Sequence, residues 1–90
     1  MKKFVIEREV PGAGQLTPAQ LQEIARTSCA AVDTLDKQYH WIQTFVVSDR
    51  LYCVHIAEDE ETVRRHAKEG GFPVTRVSEV VAIIDPTTSV

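Results

Sequence analysis

Cys53 and His55 stand two residues apart in "LYCVHI", residues 51–56. On a strand, positions i and i+2 point to one face, with Cβ atoms about 7 Å apart. Two flexible side chains at that spacing can converge on one ion, because metal–ligand bonds are only about 2.0–2.3 Å long. Glu7 and Glu9 repeat the spacing in "KKFVIERE". If their strand is a neighbour and presents the same face, a thiolate, an imidazole and carboxylates meet. That mixture suits a divalent transition metal and does not say which. The plainer alternative makes Cys53 a small apolar filler and lets His55 hydrogen-bond Glu7 or Glu9 across strands.

His66 and Glu69 form a second candidate pair, at i and i+3 of a helix, where a metal would be held weakly at the surface. Its plainer alternative is a histidine at the edge of the helix's buried stripe. His40 leads a strand beside Trp41 and can contact a ligand or end the strand. Cys29 falls near a helix stripe and is expected in the core. No nucleophile elbow, phosphate loop or H-x-x-x-H pair occurs.

The elements that must position these residues follow from periodicity. "KKFVIERE" alternates, with Phe4 and Ile6 inward and Val5, Glu7 and Glu9 outward. "VPGAGQ" breaks that strand. "LTPAQLQEIARTSCAAVDTL" is a helix with Thr17 as N-cap, Pro18 at N1 and Gln20 completing a capping box. Leu21, Ile24, Ala25, Ser28, Val32 and Leu35 make its buried stripe. "YHWIQTFVV" and "LYCVHIA" are strands of a hairpin turning at "SDR". Tyr52, Val54 and Ile56 are the more apolar set of the second, so Leu51, Cys53 and His55 are expected to face outward. The strand before it is apolar on both faces, with Trp41, Gln43 and Phe45 on one and Ile42, Thr44 and Val46 on the other. "EDEETVRRHAKEGG" is a second helix, its acidic residues at the positive end of the helix dipole. Gly70 is expected as its left-handed C-cap, with Phe72 packing back on the last turn. "VTRVSEVVAIID" is the last strand.

The order β-α-β-β-α-β predicts an α+β, ferredoxin-like sandwich over residues 1–90. Four antiparallel strands in the order 4-1-3-2 carry both helices on one face. The other face is left open. An open face this apolar predicts a homodimer through the sheet, the same patch serving both copies.

The chain has 90 residues, 43% of them hydrophobic and 26% charged, with a net charge of −3. That balance argues against nucleic acid, which needs a basic stripe. No stretch is apolar enough for a membrane span or a signal-peptide core, so a cytoplasmic location is expected. The two cysteines are then simplest as free thiols.

"EREVPGAG", "RLYCVHIAEDEETVRRHAKEGGFPVTRVSEV" and "IDPTT" resemble a bacterial family of small proteins of unknown function, some members of which are nickel-binding proteins. The resemblance runs from Phe4 to Thr88. It implies a ferredoxin-like dimer that binds nickel, with a role in sequestration or detoxification. Cys53 and His66 match the family pattern. Where similar proteins often read W-x-H-S, this chain reads "WIQT", with Gln43 in place of the histidine. His55 stands where an aromatic residue is common, which makes it a candidate for a local substitute ligand. Two other functions compete. One is a cofactor-free monooxygenase-like enzyme with Trp41, His40 and His66 lining a pocket between sheet and helices. The other is a module whose work is protein interaction.

Overall fold

The structure is a computed structural model describing residues 1–90. β1 (Lys2–Glu9), α1 (Pro18–Asp33), β2 (Tyr39–Val46), β3 (Arg50–Ala57), α2 (Glu60–Gly70) and β4 (Arg76–Glu79) follow in order. The sheet runs β2-β3-β1-β4, all pairs antiparallel, which is the expected ferredoxin-like order. No helix is long and apolar enough to cross a membrane.

Local chemistry explains the helix ends. The Thr17 hydroxyl accepts from the Gln20 N–H, and the Gln20 side chain accepts from the Thr17 N–H. Pro18 at N1 has no N–H to orphan. Asp59 caps α2 by accepting from the Thr62 N–H at 2.8 Å. At the other end of α2 the left-handed residue is Gly71, φ +71°, rather than the expected Gly70. Gly71 and Phe72 return their N–H groups to Lys68 and Ala67, which turns Phe72 back over the helix. Gly70 stays helical and is needed small, because a Cβ there would collide with the Phe72 ring.

The face of β3 differs from expectation. Leu51, Cys53, His55 and Ala57 are buried toward the helices, while Tyr52, Val54 and Ile56 are half-buried on the open face. Register fixes this: Cys53 pairs with Ile6 and His55 with Phe4, both core residues of β1. Side-chain size misleads here. The helix-side layer takes smaller and polar residues because a cavity and a buried histidine lie against it.

The double apolar face of β2 also has a physical origin. A bulge between Trp41 and Gln43 shifts the alternation by one residue. Tyr39 and Trp41 before it, and Thr44 after it, therefore share the helix side.

The last strand is shorter than predicted. β4 pairs only from Arg76 to Glu79, and one further bond joins the Val80 N–H to the Lys3 carbonyl. Glu79 is already opposite Phe4, so β4 is running off the start of β1. Val81, Ile83 and Ile84 are then left exposed in an extended arm.

Candidate functional site

A cavity of about 200 Å³ lies between the helix side of the sheet and α1. β1 supplies Arg8, β2 Trp41 and Thr44, and β3 Cys53 and His55; Ser28 comes from α1 and His66 from α2. The α1 residues Leu21, Ile24 and Ala25 are only half-buried because they border this space rather than packed core.

Arg8 is the residue the sequence reading passed over. It is in phase with Phe4 and Ile6 and is 2% exposed. The signal was available: strict alternation carries a buried face from position 6 to position 8. Its Nε donates to Cys53 Sγ at 3.4 Å and its Nη1 to the Pro73 carbonyl at 2.8 Å. The guanidinium lies 5.3 Å from the centre of the Phe72 ring, a cation–π contact. The relay continues on the other side of the sulfur. Thr44 Oγ1 donates to Cys53 Sγ at 3.2 Å and accepts from Trp41 Nε1 at 3.0 Å. No carboxylate pairs with Arg8: every ion pair in the chain involves other residues.

Behind Arg8 lies an aromatic cluster. The His66 ring stacks on Tyr39, with centroids 4.7 Å apart. His55 meets both edge-on at 5.1 Å. His66 Nε2 lies 3.2 Å from the Ser28 carbonyl, so that nitrogen carries the proton. Tyr39 Oη, His55 Nδ1 and His66 Nδ1 are buried and without hydrogen-bond partners. Burial, with help from His66 and Arg8, pushes the His55 pKa down to about 3. His66 is lowered by burial against an opposing bond to Ser28. Burial raises the Tyr39 phenol well above its ordinary range. All three are neutral at neutral pH.

The expected metal set is split by the sheet. Cys53, His55 and His66 come together on the helix side. Glu7 and Glu9 point to the open face, where Glu7 pairs with Arg50. His66 is fully buried, not at the edge of a stripe, and Cys29 is exposed rather than core. No group of three or more His, Cys, Asp or Glu side chains is placed to hold an ion. The interior set does not fit a divalent cation for a further reason. Arg8 already places an unneutralised positive charge against Cys53 Sγ, and adding a dication there worsens a desolvated imbalance.

A second groove, on the outer side of the junction between α1 and β2, is lined by Cys29, Asp33 and His40 among others. These three are exposed, and none is engaged in an ion pair. His40 therefore lies outside the cavity that Trp41 and His66 line.

Comparison with known proteins agrees with this architecture. The family model described as "Nickel responsive protein SCO4226-like" matches residues 4–80. The crystal structure of SCO4226 from Streptomyces coelicolor A3(2) is similar in fold, with a TM-score of 0.77 and 21% identity. That match covers 91% of this chain and 99% of the other. No curated protein matches the sequence.

Proposed function

Because this chain belongs to the SCO4226-like family of nickel-responsive proteins, we propose that it is a non-catalytic nickel-binding protein acting as a homodimer. The observation that supports a surface location for the ion is the division of the chain's metal-ligating side chains between interior and surface. The interior group is met by a fixed positive charge, whereas Cys29, Asp33 and His40 open on solvent along one groove. Thiol, carboxylate and imidazole suit a borderline divalent ion. Because three such groups do not converge within one copy, water or a second copy completes the coordination.

The dimer is supported by apolar surface with no cover. Phe45 is 53% exposed on the open side of β2, and Val5, Tyr52, Val54 and Ile56 continue that face. Val81, at 95% exposure, and Ile83 and Ile84 add to it. Such surface is costly on a monomer and is removed when the same patch meets itself.

Calorimetric titration of metal-stripped, tag-free protein with nickel tests the reading, with zinc and copper as comparisons. Saturable nickel uptake lost in a Cys29→Ser, His40→Ala variant is the expected result. Uptake that survives these changes and is lost in Cys53→Ala, His55→Ala would move the ion to the interior. Absence of uptake by the wild type would end the proposal.

A further inference from the structure

We infer that the interior cavity is a binding site for a small organic monoanion, a carboxylate on a six-membered ring or a short alkyl chain. This stands independently of nickel. Three observations carry it.

The first is a charge without a partner. Arg8 is 2% exposed and has no carboxylate within ion-pair distance, which is the most costly way to bury a side chain. The second is a free donor. Nε and Nη1 are engaged by Cys53 and Pro73, while Nη2 bonds nothing in the chain and is not among the sealed, unpartnered atoms. Arg8 itself lines the cavity, so this is the donor an incoming oxygen meets. Across the cavity, the Ser28 hydroxyl on α1 can donate to a second oxygen.

The third is size and lining. A cavity of about 150 Å³ holds a benzene ring. This one, at about 200 Å³, has room for a ring and one further group. Leu21, Ile24 and Leu51 give it an apolar wall, and Trp41 gives it an aromatic edge. Inorganic phosphate would satisfy Arg8 and leave that wall against water. An apolar neutral molecule would fill the wall and leave Arg8 unpaired. A monocarboxylate with an apolar body does both, and fixed donors on a rigid sheet recognise it without rearrangement. The half-buried side chains of Leu21, Ile24 and Ala25 on α1 form the way in.

The probes are benzoate and hexanoate, with benzyl alcohol as the neutral counterpart. Trp41 is the chain's single tryptophan and lines the cavity, so its fluorescence reads occupancy. Saturable change with benzoate or hexanoate is expected, with benzyl alcohol binding on the order of ten- to hundredfold more weakly. Arg8→Met should abolish that preference while leaving benzyl alcohol bound. Ala25→Phe, at the half-buried mouth, should block both probes in a chain that keeps its circular dichroism. The inference is overturned if neither anion saturates the wild type, if the neutral probe binds as well as benzoate, or if Ala25→Phe binds benzoate unchanged.

Discussion

Arg8 and Cys53 meet across the β1–β3 pair, with the guanidinium Nε 3.4 Å from the thiol sulfur and no carboxylate beside either. They are not directly opposite in register: Arg8 pairs with Leu51, and Cys53 with Ile6. The contact is thus a diagonal one, made possible by the length of the arginine side chain.

A buried charge without a partner is a burden on the empty protein. Arg8→Met removes it with little change of volume. The Pro73 carbonyl that loses a donor belongs to an exposed residue and can turn to water. Urea unfolding of the unliganded variant should show a midpoint equal to or above that of the wild type, a gain of up to about 1–4 kcal/mol. A clear loss would mean that the hydrogen bonds of Arg8 outweigh its desolvation.

The buried histidines set a pH dependence. His55 titrates near 3 when folded and near its ordinary value when unfolded. Between those values the unfolded chain binds more protons, so stability is fully present above about pH 6.5 and falls with decreasing pH. The slope is up to about 1.4 kcal/mol per pH unit for each such group. His66, lowered in the same direction, adds to it. Urea midpoints should be level from pH 7.5 to about pH 6.5 and fall from there to pH 4, and His55→Phe should flatten the curve. A flat wild-type curve would show that neither ring is held neutral by burial.

Gly70 is a helical position at which alanine is ordinarily worth about 1 kcal/mol. Here the added methyl collides with the Phe72 ring. Phe72 must move, and with it the surface on which Arg8 rests. Gly70→Ala should therefore lose stability instead of gaining it and shift the Phe72 ring resonances. Thr17→Ala is the reference: an exposed cap with no route to the cavity, expected to cost about 1 kcal/mol and leave those resonances in place.

The arm beyond β4 should matter to association and little to the single chain. Val81, Ile83 and Ile84 are largely exposed in their own copy. Removal of residues 81–90 should leave the urea midpoint of dilute protein unchanged and shift sedimentation at higher concentration toward the monomer. An unaltered sedimentation profile would remove the arm from the proposed interface.

The element order, both helices, the Thr17 capping box and the sheet order were legible because each is written locally, in periodicity and cap chemistry. The facing of β3 was not. Tyr52, Val54 and Ile56 outrank Leu51, Cys53 and His55 in apolar bulk, and only the register against Phe4 and Ile6 settles which set is inside. One residue of slip moves every side chain to the other face. The β2 bulge was hidden for a related reason, since an inserted residue leaves both phases apolar. The length of β4 depended on where β1 begins, which no property of "EVVAIID" reveals. Arg8 was readable from its phase, yet its charge argued for the surface.

The two thiols differ in a way that makes the molecule its own gauge. Cys29 is exposed and Cys53 is 5% exposed beneath α1. A thiol reagent too bulky for the cavity should therefore count one group on the intact chain and two on the unfolded one. The rate at which the second appears measures how often α1 lifts from the sheet, read from two cysteines the chain already carries.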